Sequence, residues 1–236
     1  MRSADRLSRA ALALAAGALL AGCGSFGFRP GASTRAPVPA ANAAASAPAT
    51  AASAAPTAAS TGPIAPATQR AYDDALALMR AGRPAEAERG FRALVHSDPD
   101  LAGPHANLGL LARQSGRLPE AIQELEKATE LAPGLAVAWN QLGLAYRQGG
   151  EFTKARDAYE HALALDPDYA NAVLNLGVLD DLYLADAPQA LALYTRYLAL
   201  TPAGDPVVTK WVADVRNRLP KPAAPASSAA APKEKP

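Results

Sequence analysis

Residues 139–167, WNQLGLAYRQGGEFTKARDAYEHALALDP, decide the fold. The stretch reads as two amphipathic helices, broken at Gly149-Gly150 and ended by Pro167, which cannot continue a helix. The terminal proline is periodic. Pro99, Pro133 and Pro167 stand 34 residues apart, and Pro202 follows at 35. Gly109, Gly143 and Gly177 share that period, with Ala75 in their place one unit earlier. A glycine inside a helix costs about 1 kcal/mol relative to alanine. Three at one phase therefore argue for close helix–helix contact, with Ala121 and Ala155 expected opposite. Gly82 and Gly116 mark the earlier mid-unit turns, and Asp186-Ala187-Pro188 does this in the last unit, which carries one extra residue.

A fixed period of this length is the signature of a solenoid. The unit resembles the tetratricopeptide repeat, Trp-x2-Leu-Gly-x2-Tyr followed by Ala-x3-Phe, Ala and Pro. Trp139, Leu142, Gly143, Tyr146, Ala155, Tyr159, Ala162 and Pro167 carry the pattern. The second unit departs at its aromatics, with His105, Ala112 and Leu125, while the first keeps Ala87, Phe91 and Pro99. The fourth keeps Ala190 and Tyr194. The units fall at 68–101, 102–135, 136–169 and 170–203. No unit buries its apolar face alone, so stacking is required. The resemblance implies an all-α right-handed superhelix of helix-turn-helix repeats. A capping helix is expected over 205–219, with Asp205 as cap, Pro206 just inside, and Val208, Trp211, Val212 and Val215 at helical spacing.

The resemblance also implies a concave groove lined by the first helix of each unit. It assigns the groove to Tyr72, Leu76, Arg80, Leu110, Arg113, Gln114, Asn140, Leu144, Arg147, Asn171, Val178 and Asp181. These make an apolar stripe with arginines and amides beside it. One use is docking of an apolar peptide segment, extended or helical, with an acidic neighbour for Arg113 and Arg147. In the other reading the leucine row packs between repeats or is covered by the chain's own tether. The lysines with which chaperone-type members hold a carboxylate terminus are missing.

The start of the chain has a different character. Arg2, Arg6 and Arg9 precede an apolar run, Ala10 to Gly22, about as long as a secretory signal core and shorter than the roughly 20 residues of a membrane span. Leu20-Ala21-Gly22-Cys23 resembles the lipobox of bacterial lipoproteins and holds the only cysteine. That resemblance implies removal of residues 1–22 and a diacylglyceryl and N-acyl lipid on Cys23. It places the protein at the outer membrane facing the periplasm, because Gly24 rather than Asp follows the cysteine. Residues 23–67 and 220–236 are rich in Ala and Pro and poor in large apolar side chains, so both are expected to be disordered. The first would act as a tether of roughly 35–40 Å mean reach and about 130 Å at full extension.

Removing residues 1–22 takes three arginines and one aspartate, which leaves 20 basic against 21 acidic residues. This balance, without basic stretches interleaved with aromatics, argues against nucleic acid. His96, His105 and His161 have no metal-ligand spacing. Asp180 and Asp181 point about 100° apart on a helix, and the Asp-Pro-Asp phrases at 98–100 and 166–168 suit helix ends. No catalytic, cofactor-binding or metal residue is expected, and no cofactor beyond the lipid. The expected function is a non-enzymatic adaptor that binds a protein partner and supports an envelope machine, as similar family members do for pili, secretion, motility or cell-wall complexes. The alternative is a structural envelope component that self-associates as a homo-oligomer or touches peptidoglycan.

Overall fold

The computed structural model describes residues 64–220. The leader, Cys23, nearly all of the tether and the tail beyond Pro220 lie outside the described residues.

Nine helices occupy the described residues. They pair as α1 (Pro66–Arg80) with α2 (Pro84–Ser97), α3 (Ala102–Gln114) with α4 (Leu118–Leu131), α5 (Ala136–Gln148) with α6 (Phe152–Leu165), and α7 (Ala170–Leu182) with α8 (Ala187–Leu200). A last helix, α9 (Pro206–Arg218), closes the series. Helix α1 starts at Pro66, two residues ahead of the unit boundary read from the period, because proline is tolerated in a first helical turn. Among the described residues no helix is long and apolar enough to cross a membrane.

The mid-unit turns need a left-handed residue. Gly82, Gly116 and Gly150 supply it, with φ of +69°, +76° and +80°. In the fourth unit Ala185 takes this conformation, φ 56°, and Asp186 caps α8 by accepting from the Gln189 backbone N–H at 3.2 Å. Each second helix stops just before its proline, at Ser97, Leu131, Leu165 and Leu200. Asp205 caps α9 by accepting from Val207 and Val208 N–H at 2.9 and 3.1 Å.

Within each unit one large side chain of the second helix lies against the small residue of the first. Phe91, Leu125, Tyr159 and Tyr194 are these side chains, and all are buried. A Cβ on Gly143 would sit 2.5 Å from Tyr159 Cε1, and one on Gly109 would sit 2.5 Å from Leu125 Cγ. Those side chains, more than the expected Ala121 and Ala155, require the glycines; Ala121 contributes its carbonyl oxygen at 3.1 Å from the Gly109 position.

Helix α7 is buried without a break from Ala172 to Asp180. It is apolar on all sides because neighbours cover all sides. Leu174 and Val178 join Tyr194, Val208, Val212 and Val215 in one cluster, so α9 covers the face that a fifth unit would otherwise cover. The two adjacent aspartates part as their helical angle requires. Asp180 binds Arg156 of α6 at 2.7 Å, and Asp181 binds Arg218 of α9 at 2.7 Å. Burial raises the Asp180 carboxyl above its ordinary range, opposed by Arg156.

Candidate functional site

The first helices α1, α3 and α5 wall a groove of about 470 Å³, closed at its far end by Tyr169 and Asn171 at the start of the fourth unit. Of the expected groove residues, Tyr72, Arg80, Leu110, Gln114 and Asn171 line it. Met79, Ala106, Asn107, Leu135, Val137 and Gln141 complete much of the wall. Among the described residues the lining contains one cation, Arg80, and no carboxylate.

The other expected residues lie elsewhere. Leu76, Leu144 and Val178 are buried, in the cores between helices. The residue after the small one is drawn in where the next first helix, or α9, packs on it. Only Leu110 of that row stays half-exposed and in the groove. Asn140 is 1% exposed and accepts from Asn175 Nδ2 at 2.9 Å. Asp181 is engaged by Arg218, and Tyr194 Oη lies 3.4 Å from its other oxygen.

The Asn140–Asn175 contact belongs to a row that the sequence reading passed over. Asn107, Gln141 and Asn175 stand two residues before Gly109, Gly143 and Gly177. Asn107 Nδ2 donates to Tyr72 Oη at 2.9 Å and to Gly103 O at 2.8 Å. Each asparagine thus reaches back 35 residues into the preceding unit. Gln141 faces Ala106 at the corresponding position, which has no side-chain acceptor, and takes Arg113 instead: Arg113 Nη2 donates to Gln141 Oε1 at 3.3 Å. A recurring amide at the repeat period was the available signal. Tyr169, Leu135 and Val137 were missed because they belong to the joints between units.

Two further expected residues, Arg147 and Arg113, lie outside the groove lining. Arg147 is 8% exposed and its Nη1 has no hydrogen-bond partner among the described residues. Arg113 is half-buried, and its Nε is likewise without a partner there. Tyr159 Oη, fully buried, is the third such atom. These charges act on one another. Burial holds the Arg113 guanidinium below its ordinary value, opposed by Tyr159, with the Arg147 charge adding a smaller push in the same direction as burial. Burial pushes the Tyr159 phenol up to about 12, against the pull of Arg147 and Arg113. Burial likewise raises Tyr72 to about 12, opposed by the Asn107 hydrogen bond. Among the described residues no group of three or more His, Cys, Asp or Glu is placed to hold a metal. His105 is instead held by Glu124 at 2.6 Å and the Pro99 carbonyl at 3.0 Å.

Stacked helix pairs with an inner groove and a terminal cap define an α-solenoid of the protein-interaction type. Family models of the tetratricopeptide repeat match residues 100–168 and 140–205. Solved structures share the fold. MamA aligns at 24% identity over 61% of this chain and 83% of its own, with a TM-score of 0.56. Pseudomonas aeruginosa PilF aligns at 22% identity over 64% and 68%, with a TM-score of 0.59. A thermophilic tetratricopeptide-repeat protein of Thermus thermophilus aligns at 20% identity over 64% and 82%, with a TM-score of 0.54. No curated protein matches the chain.

Proposed function

We propose that this protein is a membrane-anchored, non-enzymatic adaptor. Its repeats hold a segment of a protein partner in the groove, and so support assembly of an envelope machine for pili, secretion, motility or cell-wall work. The groove itself carries this reading: three first helices leave a mainly apolar trough open, where α7 and α9 close the trough of the fourth unit. An apolar wall with amides at intervals suits a peptide, whose backbone needs donors and acceptors while its side chains need apolar contact. The anchor is supported by the arginines, the apolar run and the Leu20–Cys23 box. Gly24 after the cysteine favours the outer membrane, facing the periplasm.

A photo-crosslinking residue at Leu110 or Gln114, activated in cells, tests the groove. The expected result is one dominant envelope partner from both sites and none from Glu130, an exposed residue of α4. Equal labelling from Glu130, or none from the groove, would overturn the adaptor function. The anchor is tested separately. The wild type should carry acyl mass on Cys23, and Cys23→Ser should leave the membrane fraction. Absence of that mass sinks the anchor.

A further inference from the structure

We infer that Gln141 fixes the partner segment in the groove: its side-chain N–H donates to a backbone carbonyl of the segment, seated over Ala106. This rests on the groove being a docking site, and names the atom that reads what docks.

The amide row is broken in the middle of the groove. Asn107 Nδ2 donates to Tyr72 Oη and Asn175 Nδ2 donates to Asn140 Oδ1, both at 2.9 Å and both 35 residues back. The same step from Gln141 arrives at Ala106, which has a methyl group and no acceptor. Gln141 and Ala106 both line the groove, and both are half-exposed. The rung between the second and third units is therefore missing where the trough is open, and its donor is within reach of a ligand.

Chemistry identifies that donor. Arg113 Nη2 lies 3.3 Å from Gln141 Oε1. A guanidinium only donates, so this contact decides which end of the amide is oxygen. It leaves Nε2, which has no partner among the described residues. In the open groove water serves it. A segment that covers it must bring an acceptor, since a buried donor left unpaired costs about tenfold or more in a binding constant.

The rest of the lining says what brings the acceptor. Among the described residues it holds no carboxylate and one cation, Arg80, which is exposed and makes no ion pair among them. That charge complements a segment carrying acidic rather than basic side chains. Met79, Leu110 and Val137 make the wall apolar. An extended peptide meets all three demands, with a carbonyl at every residue, apolar side chains for the wall and an acidic one toward Arg80. A free phosphate would leave the apolar wall uncovered.

The test selects binders from a random nonapeptide display library against the full chain in detergent. The strongest are then titrated as N-acetylated, C-amidated peptides by fluorescence anisotropy, so that no terminal carboxylate takes part. Leu110→Glu should abolish binding, which places the peptides in the groove. Gln141→Met should weaken them by about tenfold, the loss of one hydrogen bond. Ala106→Asn offers Gln141 an acceptor in the preceding unit, as Asn140 does for Asn175. It should also weaken the peptides by about tenfold, with a thermal midpoint no lower than wild type. A purely structural Gln141 predicts the opposite, binding unchanged or improved by Ala106→Asn. Should that variant lose stability, Gln141→Met alone decides. Selected sequences should favour Asp and Glu over Lys and Arg, and Arg80→Gln should remove the preference. Wild-type affinity in Gln141→Met or in a stable Ala106→Asn would overturn the inference. So would a preference for Lys and Arg, or no binder sensitive to Leu110→Glu. A tenfold gain on deleting residues 221–236 would make the chain's own tail the occupant and overturn it too. An envelope partner crosslinked from Leu110 in cells equally by Gln141→Met and wild type removes this inference and leaves the adaptor function. Peptides that depend on Gln141, without any crosslink in cells, do the reverse.

Discussion

A Cβ on Gly90 would stand 3.1 Å from Ala75 Cβ. In the first unit the small residue has changed helices. Units two to four keep glycine on the first helix, at 109, 143 and 177, and have Glu124, Ala158 and Leu193 where the first has Gly90. Ala75 fills the place of that glycine, and Gly90 on α2 makes room for it.

The two glycine positions should therefore respond differently to alanine. Gly143→Ala forces a methyl to 2.5 Å from the buried Tyr159 ring and should cost about 1–3 kcal/mol. Gly90→Ala gains up to about 1 kcal/mol of helix propensity and meets a milder contact, so it should stay within about 1 kcal/mol of wild type. Urea unfolding of both variants decides this. Equal losses would show that the substitution in the first unit is not compensatory.

Ala185 at φ 56° does the work of a turn glycine. An L-residue there is strained by about 1–2 kcal/mol, which glycine avoids. Ala185→Gly should stabilise the protein by about 1 kcal/mol, read as a rise in the thermal midpoint. Gly150→Ala, the equivalent change one unit earlier, should lower the midpoint.

Buried tyrosines set an alkaline limit, Tyr72 and Tyr159 among them, with Tyr146 and Tyr194 raised further still. Tyr72 and Tyr159 titrate at about 12 in the fold, above the ordinary value near 10. The native state then holds protons that the unfolded chain has lost, so their contribution is complete below pH 10 and falls as pH rises toward 12. For Tyr159 alone the loss approaches about 2–3 kcal/mol. Phenolate absorbance should show late-titrating tyrosines, and Tyr159→Phe should flatten the decline of stability above about pH 10. An unchanged decline would place the effect elsewhere.

Asp180 offers the acid counterpart. It is 1% exposed and bound to Arg156. Its carboxyl is already raised, so the protonated form suits the fold and ionisation works against it. Arg156→Met removes the compensating charge and should cost about 2–3 kcal/mol near pH 7. The sign of the linkage makes this loss shrink on acidification, as the lone carboxyl takes up a proton. Denaturation at about pH 7 and about pH 4.5 should show the gap narrowing. A gap independent of pH would mean that lost packing, not charge, sets the cost.

The period of the prolines and glycines made the helix pairs, the turns and the cap legible, because each has a strong local cause: a missing N–H, a left-handed φ, a capping carboxylate. The groove was legible only in part. Which first-helix positions face the groove is what the resemblance implied, and Tyr72, Arg80, Leu110, Gln114 and Asn171, assigned that way, do line it. Whether an inward residue stays open depends on its neighbours in the stack. Leu144 and Val178 look like Leu110 in the sequence, but α7 and α9 cover the later units. Charge pairing was equally non-local. Nothing adjacent in sequence says that Arg218 occupies Asp181 while Arg147 Nη1 goes without a partner among the described residues.

The asparagine contacts act as a spacing gauge along the array. Asn107 and Asn175 each measure 35 residues back to their acceptors. One residue added to the joint between the third and fourth units would carry the Asn175 amide away from Asn140 and bring an apolar neighbour to a buried polar group. The chain does carry an extra residue in its fourth unit, but it falls in the mid-turn near Ala185, beyond the last rung. Length can vary there without the gauge reading it, which makes the mid-turns the natural places to lengthen, tag or split this protein.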